Sequence, residues 1–240
     1  MSDPARIWLT RPAADSAKLA ARLSNFPTLI APVTTIEHAA LSVPEKPDVL
    51  LITSRHAAAF LAQMPPDWRE LAVYCVGIAT ATAVRAQGFT NTHTAGGDVM
   101  SLLVQLKKLP AGTRLLYLAG TDRRVDVSAL LSAHSIQVQV LEVYRAAALS
   151  SLGQPAAKAL AAGGICGVVF FSPRTAKIAC HLMMQAGLAD EAKRINAYCL
   201  SLAVAHAAGA LPWRGVHACH VPTANAMVEL IASQASAAMV

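Results

Sequence analysis

The chain has 240 residues, enough for one large or two modest domains. It is 55% apolar with mean hydropathy +0.44, yet Gly, Pro, Ser, His or a charge interrupts every apolar run well short of the roughly 18 residues a membrane span needs. Net charge is +6 and 13 of the 20 basic residues are arginine, but there is no lysine-rich run or aromatic-interleaved basic patch, which argues against nucleic acid. Arginine makes planar, bidentate contact with carboxylates, so an acidic small molecule is the expected partner.

Arg6 to Thr10 reads as a short strand leading into Thr10-Arg11-Pro12 and a helix that buries Leu19 and Leu23. Thr28 to Ile36 reads as a second strand, and His38 to Pro47, with two prolines and little periodicity, as a linker. Asp48 to Thr53 is then a strand and Arg55 to Met64 its helix, with Ser54 between them as the N-cap. Leu71 to Val76 is a strand ending at Gly77, and the helix Thr80 to Gln87 is stopped by Gly88 in a left-handed cap. A short strand near Asn91 to Thr94 passes through Gly96-Gly97-Asp98 into a helix from Val99 to Lys107, capped by Asp98.

Arg114 to Leu118 is the next strand, followed by Ala119-Gly120-Thr121-Asp122-Arg123-Arg124 and a helix near Asp126 to His134. Val138 to Tyr144 alternates as a strand, and Ser150 to Pro155 forms a second linker. A helix from Pro155 to Ala162 stops at Gly163-Gly164, before the strand that ends Val168-Val169-Phe170-Phe171-Ser172. The helix after it has Pro173 at its first position, where a missing N–H costs nothing. Ile195 to Ser201 and His217 to Val221 are strands, Val204 to Ala210 and Ala224 to Ser233 helices, with Thr223 capping the last. Strands alternate with helices throughout, as in a parallel sheet covered on both faces.

Two strand-serine-helix elbows, Ile52-Thr53-Ser54-Arg55 and Phe170-Phe171-Ser172-Pro173-Arg174, repeat one grammar, and a helix start can meet an anion. Ser54 and Ser172 lie 118 residues apart, Cys75 and Cys199 124, and Met100 and Met227 127. Three pairs in one order with a slowly drifting offset indicate a duplicated fold. Parallel α/β sheets bind ligands beyond the carboxyl ends of their strands, and Arg11, Arg55, Arg123, Arg124 and Arg174 all fall just past such ends.

Neither a G-x-S-x-G nucleophile, a P-loop nor a G-x-G-x-x-G fingerprint occurs, so triad hydrolysis and a dinucleotide-dependent oxidoreductase lack support. His217-Ala218-Cys219-His220 could suggest a metal, but successive residues of one strand point to opposite faces and no further ligand cluster is nearby, so no metal is expected. Five cysteines without C-x-x-C spacing read as buried, reduced thiols. Met1 to Arg6 has no signal-peptide pattern, which makes the cytoplasm the expected location. Tyr144, at a strand end, is a phenol that could donate a proton without carrying charge, although spacing alone favours a packing tyrosine.

The ordered set Leu9-Thr10-Arg11-Pro12, Ile52 to Arg55, Val76 to Ala81, Tyr117 to Arg124, Val143-Tyr144-Arg145, Phe170 to Arg174, Cys199-Leu200-Ser201 and Pro222-Thr223 resembles the uroporphyrinogen-III synthase family over residues 6 to 231. The resemblance implies two similar α/β lobes, each a parallel five-stranded flavodoxin-like sheet flanked by helices. One would take residues 1–36 and 148–240 and the other 39–145, joined by a two-segment linker with the active-site cleft between them. It implies a cofactor-free lyase of haem biosynthesis that cyclises linear hydroxymethylbilane to uroporphyrinogen III, with loss of water and inversion of the last ring. Tyr144 matches the tyrosine thought to assist departure of the hydroxyl. Substrate contacts fall to Thr10, Arg11, Ser54, Arg55, Gly77, Thr80, Ala119, Gly120, Ser172, Pro173, Arg174, Ser201 and Thr223. A monomer with a transient contact to hydroxymethylbilane synthase is also implied. The chain departs from the family pattern at His56 and Ala146 and at Ser201-Leu202-Ala203. A two-lobed binding module for an anionic ligand, without catalysis, is the rival reading.

Overall fold

The computed structural model describes residues 5–96, 98–123 and 125–237. In chain order the first elements are β1 (Arg6–Leu9), α1 (Ala13–Arg22), β2 (Thr28–Ile30), β3 (Thr34–His38), β4 (Val49–Ile52) and α2 (Arg55–Ala58). There follow β5 (Ala72–Cys75), α3 (Ile78–Arg85), β6 (Thr92–Thr94), α4 (Val99–Leu106), β7 (Arg114–Gly120), α5 (Val127–Ser132) and β8 (Gln137–Ala148). The rest are α6 (Gln154–Ala161), β9 (Ile165–Phe170), α7 (Pro173–Gln185), β10 (Asn196–Cys199), α8 (Leu202–Ala208), β11 (Gly215–Ala218) and α9 (Ala224–Ala237). The chain divides into two compact units, one running to Thr35 and resuming at Ala147, the other being Ile36–Ala146.

The first unit carries a sheet in the order β11-β10-β9-β1-β2, with all its pairs parallel. Its central strands are buried on both faces, which is why they read as unbroken apolar runs. Trp8, Val168 and Phe170 point into one core layer with α6, α7 and α8. Ile7, Leu9 and Val169, one residue out of phase, point into the other with α1 and α9. The indole N–H groups of Trp8 and Trp213 donate to the carbonyls of Ala31 and Ala208, both at 2.7 Å, so these rings are buried without an orphaned donor.

The second unit carries a sheet in the order β3-β8-β7-β4-β5-β6. Leu50 and Ile52 pack with α2 and α3, whereas Val49 and Leu51 pack with α4 and α5. Five of its strands are parallel neighbours, but β3 is an added antiparallel edge: Ala39 N–H donates to Val143 C=O and Leu149 N–H to Val33 C=O. The expectation of five parallel strands therefore falls short here. The stretch Thr28 to Ile36 is not one strand, because Pro32 offers no N–H to a ladder; β2 ends before it and β3 begins after it in a different sheet. β3 reaches into the start of the expected linker, and β8 runs four residues beyond Tyr144.

The helix expected over Arg55 to Met64 keeps only one α turn and tightens into a 3₁₀ segment, Ala59–Gln63, ahead of Pro65-Pro66. Gly88 does take the left-handed conformation (φ 88°) that stops α3. Asp98 and Thr223 cap α4 and α9, accepting from Ser101 N–H at 2.8 Å and Ala226 N–H at 3.1 Å. Gly97 lies outside the described residues.

Both sheets share one spatial pattern, β2-β1-β9-β10-β11 matching β8-β7-β4-β5-β6, with the chain entering at a different strand. The duplication is most visible at an offset of 124. Tyr74 stacks on His93 at 4.8 Å between β5 and β6, and Tyr198 on His217 at 5.7 Å between β10 and β11, with both the tyrosines (74 to 198) and the histidines (93 to 217) 124 residues apart. The Met100 and Met227 pairing does not hold, since Met100 is 60% exposed and Met227 is buried. Aligning the caps Asp98 and Thr223 instead matches Leu102 and Leu106 with Met227 and Ile231, all buried.

Four cysteines, 75, 180, 199 and 219, are buried and Cys166 is exposed on β9. Burial pushes the Cys75 and Cys180 thiols up to about 11 and Cys199 up to about 12, from an ordinary 9.0. A folded-state value above the unfolded one gives a contribution to stability that is whole below pH 9 and is lost as pH rises through 11 to 12. At pH 8 an aromatic disulfide reagent is expected to react with about one thiol equivalent of native protein, because Cys166, although burial raises its thiol too, is exposed and the other four are enclosed. Melting temperature should fall from pH 9 upward, less steeply in Cys199→Ala; fast release of several equivalents would contradict this burial.

Candidate functional site

In an open α/β sheet a crevice forms where the helices following two adjacent strands leave for opposite faces. In the first unit that point lies between β1 and β9. The helix α1 packs on the face of Ile7 and Leu9, and α7 on the face of Trp8 and Phe170. Thr10 and Arg11 follow β1, and Phe171, Ser172, Pro173 and Arg174 follow β9, so these residues meet at one edge.

Their roles differ. Thr10 is fully buried and its hydroxyl donates to Val169 C=O at 2.7 Å, tying the two strand ends together and leaving no surface for a ligand. The Arg11 guanidinium lies 4.6 Å above the Phe171 ring and 3.1 Å from Asp15, so it is held over the crevice rather than loose in water. Ser172 caps α7 by accepting from Thr175 N–H at 3.2 Å, with the Thr175 hydroxyl 2.8 Å away. Pro173 and Arg174 begin that helix on its exposed side. Ser201 and Thr223 follow β10 and β11 at the same edge; Ser201 makes no cap hydrogen bond with its side chain, and Thr223 commits its hydroxyl oxygen to α9.

In the second unit the equivalent crevice lies between β7 and β4, since α5 packs with Leu51 and α2 with Leu50 and Ile52. Thr53, Ser54 and Arg55 leave β4, and Gly120 and Thr121 end β7. Tyr144, on β8 beside Gly120, lies directly across that glycine: a Cβ built on Gly120 would stand 2.6 Å from Cζ and 2.8 Å from the phenol oxygen. His56, in the first turn of α2, tilts against the Tyr144 ring at 5.7 Å. Ser54 accepts from His56 N–H at 3.2 Å, which fixes that turn. On the other side of β7, Thr53 and Tyr117 share a hydrogen bond of 2.9 Å, and burial raises the Tyr117 phenol.

Two cavities meet Thr121. One of about 370 Å³ is lined by Tyr144, Glu142 and Arg145, and one of about 530 Å³ by Tyr117, Arg123 and Ser128. The strand-end arginines here are already engaged. Arg123 pairs with Glu142 at 2.7 Å and donates to Gly120 C=O, and Arg145 pairs with Glu37 at 2.8 Å. Arg124 lies outside the described residues. Gly77 begins α3 in extended backbone, while Thr80 and Ala119 are buried within the unit.

Ser54, Gly120 and Tyr144 thus come together in one unit, and Arg11, Ser172 and Arg174 in the other. His56, Phe171 and the Thr53–Tyr117 pair are additions to which spacing does not point. Their signal lies in which residues flank the two crevices, which needs strand order rather than sequence.

The fold and these strand ends define an α/β protein built from two related, largely parallel sheets, with polar and aromatic side chains gathered where strand order reverses. A family model described as uroporphyrinogen-III synthase HemD matches residues 17–229, and the chain belongs to that family, whose role is in tetrapyrrole biosynthesis. Among solved structures, uroporphyrinogen-III synthetase from Helicobacter pylori 26695 superposes with TM-score 0.62 at 17% identity, covering 96% of this chain and 99% of that one. A mutant uroporphyrinogen III synthase from the extreme thermophile Thermus thermophilus superposes with TM-score 0.50 at 16% identity, covering 97% and 99%. At these identities the likeness is one of fold. No curated protein matches the chain in sequence. Among the described residues no helix is long and apolar enough to cross a membrane.

Proposed function

We propose that this chain cyclises hydroxymethylbilane to uroporphyrinogen III, with Tyr144 as the catalytic group. In the reaction the C–O bond of the terminal hydroxymethyl group breaks, and the oxygen leaves as water after taking a proton. The pyrrole nitrogen supplies electrons to form an azafulvene, the substituted α-carbon of the last ring attacks it, and rearrangement through a spiro intermediate inverts that ring. The final loss of a ring proton restores the balance. The leaving group departs readily, so the protein's main task is to hold both chain ends in the orientation that gives the inverted ring.

The observation that carries the reading is Tyr144 laid across Gly120 at the strand-order reversal, in a chain of this family. A phenol there can protonate the leaving hydroxyl and take the proton back later. The substrate's acetates and propionates suit the helix starts at Ser54 and Ser172 and the arginine held at Arg11. In this reading the two units are similar lobes joined by a two-segment linker, and the carboxyl edges of both sheets bind one substrate. The protein works as a monomeric, cofactor-free hydro-lyase in the cytoplasm and takes substrate from hydroxymethylbilane synthase.

The test supplies substrate generated in place by purified hydroxymethylbilane synthase, oxidises the products and separates the isomers. Isomer III is expected in excess; isomer I alone, the product of unassisted closure, would end the reading. Tight tetrapyrrole binding with no isomer III would favour the non-catalytic binding module.

A further inference from the structure

The two most exposed large apolar residues among those described are Leu202, at 79%, and Ile78, at 77%. Single exposed aliphatics are ordinary on protein surfaces. These two occupy one position twice over: they lie 124 residues apart (78 to 202), the offset that also relates Cys75 to Cys199 and both stacked Tyr–His pairs. Each is the first residue of the helix that follows the strand next to the crevice, β5 in one unit and β10 in the other. Each therefore stands at the carboxyl edge of its own sheet, the edge where such sheets meet ligands.

Nothing in the folding of either unit calls for an aliphatic there. The first turn of a helix favours Ser, Thr, Asp, Glu or Pro, and a β-branched residue such as Ile is a poor helix former. Neither side chain belongs to the core of its unit: the layers beneath α3 and α8 are filled by Ala81 and Val84, and by Val204, Ala207 and Ala208. An apolar residue kept in water at the same place in both halves is accounted for by a ligand that covers it. On the proposed function, on which this inference rests, that ligand carries carboxylates at its rim and flat apolar pyrrole rings between them.

We propose that Ile78 and Leu202 are substrate-binding platforms, one in each unit, on which pyrrole rings of the linear tetrapyrrole rest. They act in binding and not in proton transfer, so their contribution is present in ground state and transition state alike. Removing either is expected to raise KM and leave kcat nearly unchanged.

The experiment is the isomer assay with Ile78→Ala, Leu202→Ala and the double variant, with Leu202→Met as the conservative replacement. Each alanine variant should raise KM by about tenfold, the scale expected from losing most of one aliphatic side chain's burial. kcat should stay within about twofold, and Leu202→Met should restore most of the affinity. Melting temperatures should not move, because both side chains are exposed. If wild-type protein makes isomer III but the alanine variants keep its KM, the platforms are refuted while the function stands. If wild type makes no isomer III, the function itself fails. Light scattering on the same samples decides against a second copy of the chain as the covering surface: a wild-type dimer that the variants dissociate would also overturn the proposal.

Discussion

Tyr144→Phe is expected to lower kcat by about a hundredfold, the lower end of what a positioned proton donor contributes, while the fold and KM change little. The ring is half-buried, packs against Gly120 and His56, and lies against one core layer of the second unit. Phenylalanine keeps all of that contact and removes only the oxygen. A loss of rate therefore reports the hydroxyl and not the packing. The measurement is initial rate with saturating hydroxymethylbilane, counting isomer III alone, since unassisted closure continues to give isomer I. A thermal melt within about two degrees of wild type would confirm that the fold is intact. An unchanged kcat would remove Tyr144 from the chemistry and shift attention to His56, the neighbouring group able to carry a proton.

The elements that can be read from sequence are those whose cause is local. Leu50 to Ile52 and Val168 to Phe170 are apolar at consecutive positions because helices cover both faces, and that leaves a run visible without knowing the partners. The caps Ser54, Asp98, Ser172 and Thr223 are visible for the same reason, each bonding an N–H two or three residues on. What stays hidden depends on partners far along the chain. β3 and β8 pair across about a hundred residues, so Thr34 to Ile36 reads as a continuation of the strand before Pro32 and the far end of β3, at His38, reads as the start of a linker. Thr10 reads as a strand-end hydroxyl facing a ligand, but its acceptor is the carbonyl of residue 169. Arg123 reads as a free cation past a strand end, but Glu142 on the adjacent strand neutralises it. Methionine at 100 and 227 looks like a repeat when identity is matched; burial, which matches Leu102 to Met227, is what duplication preserves.

Gly120→Ala is expected to cost about as much rate as losing the phenol itself, although residue 120 contributes no chemistry. Its φ lies outside the left-handed region, so alanine suits the backbone, and the nearest conflict is with the Tyr144 ring: the new methyl would meet its Cζ at 2.6 Å and its oxygen at 2.8 Å. Contact between carbon atoms settles near roughly 3.5 to 4.0 Å, so the ring must move by about an ångström. It can do so because it is not enclosed, and the stability cost should stay within about 1–3 kcal/mol. A displacement of that size at a reacting group is enough for about a hundredfold loss of rate. If Gly120 acts only by seating Tyr144, then Gly120→Ala in a Tyr144→Phe background should lower kcat little further, giving a strongly non-additive cycle. Losses that multiply would mean that Gly120 serves the substrate directly, through close approach of its backbone rather than through the ring. The cycle thus separates a glycine that places the phenol from one that makes room for the tetrapyrrole, two roles that the same 2.6 Å contact leaves open to a single substitution.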